Sequence, residues 1–381
     1  MKTVKVLHII SGLETGGAEM ALYRLLKYMS RSKVQSAVVC LGKSGFIGQQ
    51  ILAINIPLLC LDVGINGRNY IGRSVEFIKF VRMSRPNIIQ GWMYHGNVAA
   101  SFASFMCFPR AQVFWNVRQT LQSLSNESTS TRYAITLSKY ISRRPKRIIY
   151  NSQDGQVQHE RLGFSSRQSC VIPNGVDLDE LFPDSNARRQ IRNELGVNQD
   201  VVVIGHIGRY HPKKNHVGLL KAIKLVADKH DDVRFVLVGR GVVDDDPELK
   251  QIIQNNSLTE RCLLLGERQD VVSILRGLDI LVVSSAWGEG FPNVLSEAMA
   301  TSLCCVSTDV GESSTILGST GTIVRPNDSV ELAKGICDTI ALSADEKIKR
   351  GQRARARIME NYSIKSMSNL YEDQYHNTQS N

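Results

Sequence analysis

No stretch of this 381-residue chain approaches the roughly 18 consecutive apolar residues that a membrane-crossing helix needs. The opening, MKTVKVLHIISGLETGG, lacks the pattern of a signal peptide, because its short apolar run turns polar and glycine-rich at once. Both absences predict a cytoplasmic protein. The eight cysteines form no CxxC pair and have no His-rich partner spacing, which argues against structural zinc. Most lie in apolar stretches and are expected as reduced, buried thiols. Low-complexity segments and short repeats are also missing. Acid is scarce in the first half. Residues 1–180 hold 22 Lys and Arg against 10 Asp and Glu, and the remainder holds 24 against 26, so the net charge of +10 comes from one side. Such a field suits a polyanionic partner (acidic lipid headgroups, a phosphorylated acceptor or nucleic acid) or a basic solubility surface.

What is present is an alternation of short β-rich runs and longer helical stretches. Strands are predicted at Val4–Ile10, Val34–Leu41 and Ile88–Gly91, with another ending at Ile148–Asn151. A glycine turn and a helix over 18–29 follow the first. The series restarts at Val201–Ile207. It continues through helices near 217–229 and 246–255, strands at Phe235–Val238, Leu263–Leu265 and Ile280–Val283, a helix over 293–300 and a strand at Cys304–Ser307. Two such series predict two doubly wound α/β units, in a chain too long for one core. The turn-rich stretch PNGVDLDELFP, residues 173–183, marks the boundary between them.

In open parallel sheets, ligands gather beyond the carboxyl ends of strands, so the residues just after strands are the candidates. After the first strand come Gly16 and Gly17, where a helix begins. They suit a phosphate at a helix N-terminus, and equally a tight turn. They are not a G-x-G-x-x-G fingerprint. After the Val201 strand, Arg209 and Lys214 could grip a diphosphate or form a solvated basic loop. Near the C-terminal third stands GEGFPNVLSEAMA, residues 288–300. Pro292 fits the first position of a helix, which leaves Glu289 in the loop and Glu297 inside the helix. The two acids suit one ligand with two hydroxyl-bearing parts and an anion between them, facing the N–H groups of Asn293, Val294 and Leu295. They also suit a dipole-favouring acid plus a solvated one.

The stretch EGFPNVLSEAMA resembles the E-x7-E motif of the retaining glycosyltransferases of family 4. Six further stretches follow that family's order: VLHIISGLETGGAE, YNSQDG, VIPNGVDLDELF, GHIGRYHPKKN, GERQDV and DILVVSS, with TGTIVRPND as a late turn. The resemblance implies a GT-B fold, with two Rossmann-like doubly wound domains facing each other across a donor and acceptor cleft. It implies an acceptor-binding domain over 1–172, a linker over 173–183 and a nucleotide-sugar-binding domain over 184–362. A last helix, about 363–381, would pack back on the first domain. By position, Arg209 and Lys214 would neutralise the donor diphosphate, Glu297 would hold the ribose and Glu289 would contact the donor sugar. Gly16 and Gly17 would close over the phosphates, and Arg268 would flank the base. His95 would stand near the sugar and acceptor, although a lone His beside Trp92 and Tyr94 also reads as packed and hydrogen-bonded. Arg118 is a further candidate. Two departures, Val310 before Gly311 and Ser302 in place of a common Gly, affect the shape of the donor pocket.

The implied reaction moves a sugar, with retention, from a nucleotide-diphosphate sugar, UDP-sugar favoured, to a hydroxyl of a lipid-linked saccharide. No Asp-x-Asp stands in a metal position, since Asp244–Asp246 reads as a cap and solvated turn, so neither metal nor cofactor is expected. The basic first half would face an anionic membrane. There, 139–147 packs five cations into nine residues, and 70–85 mixes Arg and Lys with Phe77, Phe80 and Val81. The stretch 98–108 is expected as a buried helix. Rival readings are a nucleotide-sugar epimerase on the same fold, a catalytically dead sugar-binding homologue and a basic nucleic-acid-binding protein. Nucleic acid is disfavoured because no recognisable module interleaves aromatics with the cations.

Overall fold

A computed structural model describes residues 3–14, 16–62, 70–107, 109–121, 124, 127–243 and 245–377. The chain divides into two compact units, Met1–Gly175 with Ile364–Asn381, and Val176–Ser363. The first is built on β1 (Val4–Ile10), β2 (Val34–Cys40), β3 (Leu58–Cys60), β4 (Ile88–Trp92), β5 (Gln112–Val117), β6 (Arg147–Tyr150) and β7 (Ser169–Val171). All pair in parallel, in the order β3-β2-β1-β4-β5-β6-β7. The second holds β8 (Val202–Ile207), β9 (Val233–Val238), β10 (Cys262–Leu264), β11 (Ile280–Val283), β12 (Cys304–Thr308) and β13 (Thr322–Val324). These are parallel in the order β10-β9-β8-β11-β12-β13. Each sheet reverses its strand order once, between β1 and β4 and between β8 and β11. Ligands bind beside such reversals, outside the carboxyl ends of the strands.

The central strands carry near-continuous apolar runs because helices cover both faces. One face of the first sheet buries Leu22 and Leu25 of helix Gly17–Tyr28, with Met367, Tyr371 and Tyr375 of helix Ile364–Asn377. The other buries Val81 of helix Tyr70–Ser84, Ala100 of Met93–Ala103 and Ile135 of Thr129–Ile141. The returning helix is also held by polar groups. Tyr375 Oη donates to Gln90 Oε1 at 2.7 Å, and Lys33 Nζ reaches Glu372 Oε2 at 2.9 Å.

Several expectations change. The stretch 173–183 is not a free connector. Val176 donates its N–H to Tyr362 O at 2.8 Å, and Val176 and Leu181 enter the core of the second unit, so the chain leaves the first unit at Gly175. The stretch 98–108 is not one buried helix. Helix Met93–Ala103 gives way to a 3-10 turn at Ser104–Met106, Phe102 and Phe105 are 56% exposed, and Phe108 lies outside the described residues. Only Cys40, Cys304 and Cys305 are buried, and the other five thiols are half-buried. Asp246 caps helix Pro247–Asn255 by accepting from Leu249 N at 2.9 Å, while Asp244 lies outside the described residues.

Replacing Tyr375 with Phe removes the hydrogen bond to buried Gln90. Unfolding in urea should then show a loss of about 1–3 kcal/mol. An unchanged midpoint would mean that the hydroxyl contributes nothing to holding the last helix.

Candidate active site

In the second unit the site residues stand on the two loops that follow β8 and β11. The β8 loop begins at Gly208 and ends in a single 3-10 turn at Pro212–Lys214. Asn215 then takes φ +52°, ψ +48° and caps helix His216–Ala227 by accepting from Gly218 N at 3.1 Å. The loop is fixed to the next strand's loop, since Gly208 N donates to Val238 O and Tyr210 N to Arg240 O, both at 2.8 Å. Beneath it, His206 and His216 meet edge to face with ring centroids 4.8 Å apart. Burial pulls His216 down to about 4 and His206 well below the ordinary histidine value. Both rings are therefore uncharged at neutral pH and add no positive charge under a cationic loop.

The β11 loop crosses onto the β8 loop. Ala286 N donates to Lys213 O at 2.8 Å, and Ser284 Oγ donates to Lys214 O at 2.7 Å. Lys214 Nζ then reaches Glu289 Oε1 at 2.5 Å, and Ser285 Oγ donates to the same oxygen at 2.7 Å. Glu289 is 14% exposed and Lys214 22%. Burial by itself would raise the Glu289 carboxyl. The charge of Lys214, the hydrogen bonds from Lys214 and Ser285, and nearby Lys213 outweigh burial and hold it below the ordinary glutamate value. Gly311, at φ +59°, presses against the Glu289 carbonyl, where a Cβ would come within 2.1 Å. The glycine retained in DVGESSTI thus packs against the backbone of the loop that carries Glu289.

The sequence-predicted residues fall into different situations. Arg209 is exposed and makes no ion pair with the described residues. Lys214 and Glu289 are brought together as a pair, which the reading of separate roles did not anticipate. Pro292 is the N-cap and not the first helical residue, because helix Asn293–Ala300 starts one position later. Leu295 already donates its N–H to Pro292 O at 3.1 Å, so of the three expected N–H groups it is not available to an anion. Asn293 and Val294 begin the helix, and Glu297 lies half-buried in its second turn. The Arg268 guanidinium is occupied by Asp270, with two contacts at 2.7 Å, and by Glu194 at 2.8 Å. That leaves its backbone for any contact with a base. Ser284, Ser285 and Lys213 were missed. Their signal was two hydroxyls directly after a strand and a second cation beside Lys214.

In the first unit, Gly16 is the N-cap of helix Gly17–Tyr28, and Thr15 lies outside the described residues. Glu19 folds back over this start. Burial raises its carboxyl, while hydrogen bonds from its own N–H and that of Ala18 work the other way. The helix mouth expected to receive a phosphate therefore already holds a carboxylate. His95 sits near the start of helix Met93–Ala103, directly after β4. This helix lies unusually close to the sheet, since a Cβ on Gly96 would come within 2.4 Å of Ile9 O. Met93 takes φ +60° at the turn. His95 is half-exposed and has no hydrogen bond to the described residues. The packed, hydrogen-bonded histidine here is His159, held by Tyr94 Oη at 2.7 Å. Arg118 is buried, where its guanidinium holds Asn116 Oδ1 at 3.1 Å, Tyr371 Oη at 3.0 Å and Asn174 Oδ1.

The lowered Glu289 carboxyl has a consequence for acid stability. A depressed native value means that the pairing stabilises the fold above the ordinary 4.5 and is lost as pH falls through the native value. Glu289→Gln should therefore flatten the acid side of a urea-midpoint profile between about pH 3 and pH 7. Parallel profiles for variant and wild type would show that the pair contributes nothing.

Comparison with known proteins agrees with this layout. The model described as Glycosyltransferase Family 4 matches residues 15–180, and that described as Glycosyl transferases group 1 matches residues 201–341. An Escherichia coli UDP-Gal:alpha-D-GlcNAc-diphosphoundecaprenol alpha-1,3-galactosyltransferase is 26% identical over 70% of this chain and 68% of its own length. The putative glycosyltransferase EpsF of Bacillus subtilis is 26% identical over 80% of this chain and 79% of its own. The crystal structure of Anabaena HepE in complex with UDP superposes with a TM-score of 0.83 at 23% identity, covering 98% of this chain and 100% of HepE. Between them the two family models take in most of the chain, and the solved fold matches nearly all of it: the protein belongs to the family 4 glycosyltransferases and has their GT-B fold.

Proposed function

We propose that this glycosyltransferase moves a hexose from a UDP-sugar to a hydroxyl of a lipid-linked saccharide, with retention of anomeric configuration and without a metal ion. The observation that carries the reading is the cluster at the β8/β11 reversal: an ionised, half-buried Glu289 bonded to Lys214 and Ser285, with exposed Arg209 on the same loop. The E. coli relative is named for a UDP-Gal donor and a diphosphoundecaprenol-linked acceptor, and HepE has been crystallised with UDP and with UDP-glucose. These names support the donor and acceptor classes.

In this reading, the bond between the anomeric carbon and the diphosphate breaks while the acceptor oxygen bonds to the same face of the sugar. The acceptor's proton passes to the departing phosphate oxygen. Negative charge grows on that phosphate, and Arg209, Lys214 and the start of helix Asn293–Ala300 stabilise it electrostatically. Fixed cations and a helix dipole do here what a divalent ion does elsewhere. Glu289 is ionised at neutral pH, so it accepts hydrogen bonds from sugar hydroxyls and does not donate a proton. Glu297 holds the ribose, Arg268 flanks the base through its backbone, and Gly16 and Gly17 approach the phosphates once Glu19 has moved aside. His95, with no hydrogen bond to the described residues, serves the sugar and acceptor. Among the described residues no helix is long and apolar enough to cross a membrane. In this reading, a lipid-linked acceptor implies a peripheral protein at the cytoplasmic membrane face.

A thermal-shift panel of UDP, GDP, ADP and dTDP tests the donor, first in chelator and then with magnesium. UDP should stabilise the wild type in chelator by about 2.7 kcal/mol at a hundredfold excess over Kd. Glu297→Ala should lose most of that shift. If no nucleotide stabilises the protein, or only magnesium permits it, the donor or the metal-free mechanism falls. The chemistry has a separate check. Glu289→Gln should lower kcat by about 100-fold or more while UDP binding survives, and a trapped glycosyl-enzyme on Glu289 would overturn same-face attack.

A further inference from the structure

Cys40 ends β2 and Cys60 ends β3, and the register sets them directly opposite each other on these two parallel strands. Neighbouring strands lie about 4.8 Å apart. That separation falls within the roughly 4.4–6.8 Å between Cα atoms that a disulfide spans. Residues opposite each other in a parallel pair send their side chains to the same face of the sheet. Both side chains accordingly belong to the face that helix Gly17–Tyr28 covers, with Cys40 inside its core cluster and Cys60 packed against it. The two thiols are in hydrogen-bonding contact. Cys304 and Cys305, adjacent in sequence, cannot meet in this way, because neighbours along β12 enter the cores on opposite faces of their sheet.

The two sulfurs differ in access. Cys40 is fully buried, and burial pushes its thiol up to about 12, so it keeps its proton at neutral pH. Cys60 lies on the edge strand and is half-buried. An oxidant therefore meets Cys60 first, with Cys40 held behind it as a resolving thiol. The reduced Cys40 has a structural task. Its Sγ donates to Lys43 O at 3.2 Å. The same carbonyl accepts from Leu13 N at 3.3 Å, and Leu13 O accepts from Ile47 N at 3.0 Å. Gly42 and Gly45 press so closely on Ser11 O and Leu13 O that a Cβ would come within 2.7 Å and 2.6 Å. The loop after β2 is thus seated on the loop after β1, which runs on to Gly16 and Gly17. The Cys40 thiol also feels the charge of Glu19, the acid folded over that helix start.

We propose that Cys40 and Cys60 are an oxidative modification site, a reversible thiol–disulfide switch that loosens the loop after β1. Hydrogen peroxide converts the Cys60 thiol to a sulfenic acid and releases one water. The Cys40 thiol then attacks the Cys60 sulfur. The S–S bond forms, the S–O bond breaks, and the hydroxyl leaves with the Cys40 proton as a second water. Two electrons pass from the pair of thiols to the peroxide, and a dithiol reductant returns them. Closing the bond draws Cys40 Sγ toward β3 and removes the proton that it gave to Lys43 O. The carbonyl that seats Leu13 loses one of its two donors. Disulfides of reducing compartments are usually transient and sensing ones, so a protein that rests with reduced thiols is the state from which such a switch acts.

The test treats the reduced full chain with hydrogen peroxide, blocks free thiols by alkylation and maps the digest by mass spectrometry without reductant. A Cys40–Cys60 cross-link should form ahead of any other and disappear with dithiothreitol. Cys60→Ser should leave Cys40 reduced, and Cys40→Ala should carry Cys60 on to the sulfinic acid. Amide hydrogen exchange reads the loop. The N–H groups of Leu13 and Ile47 should exchange about five- to tenfold faster in the oxidised wild type, as for the loss of one hydrogen bond. Peroxide should change neither amide in Cys60→Ser. Other cysteines that cross-link first, or a Cys40–Cys60 bond that leaves both amides as protected as before, overturn the switch. If Gly16 and Gly17 approach the donor as proposed above, oxidation also raises the KM for the UDP-sugar by a similar factor. Faster exchange with an unchanged KM sinks that role of the glycine pair and leaves the switch standing.

Discussion

The candidate site of the second unit is organised around the ion pair between Lys214 and Glu289. Neither partner could be half-buried alone, because an uncompensated charge in that position is costly. The pair forms only because two loops from strands far apart in sequence meet where the sheet reverses its order. The backbone contacts Ala286–Lys213 and Ser284–Lys214 bring them into register. Gly311 allows a third loop to pack against the backbone of Glu289 and Gly290. The neutral His206–His216 pair completes the arrangement by filling space under the loop without competing for the anion. In the proposed reaction, a donor that enters with its own negative charges would meet a lysine already aimed by its carboxylate, and an arginine still exposed.

The first unit follows the same logic with different parts. Close approach at Gly96 brings His95 to the end of the sheet. Arg118, which the sequence suggested for the site, is spent instead on holding Asn174 and Tyr371, the point where the chain departs and the helix where it returns. The buried guanidinium is held by amide and hydroxyl oxygens and lies over the face of Trp92, 5.3 Å away.

Much of this was legible in the sequence, and the exceptions share a cause. The central strands announce themselves, since VKVLHII is apolar except for Lys5 and His8 and ILVV is apolar throughout. The edge strands β3, β7 and β13 have three residues each, too few to show any period. Glu289, Arg209, Lys214 and Glu297 were singled out through the positions they occupy after strands and through family resemblance. Their pairing was not, because a contact across 75 residues leaves no local pattern. Glu19 folding onto its own helix start was equally hidden, although an acid two residues after a glycine pair is a cue. The stretch 173–183 does contain the crossing between the units, but turn-rich composition reports local conformation and could not show that Val176 and Leu181 enter a core.

The return of helix Ile364–Asn377 has a consequence for biogenesis. Its Met367, Tyr371 and Tyr375 fill one side of the core that begins with β1. During synthesis the N-terminal segments emerge first, yet that core stays open until the last helix has left the ribosome. The first unit therefore waits, with apolar surface uncovered, while the whole second unit is made. Chaperone dependence and C-terminal truncation should weigh on the beginning of this chain more than on its middle.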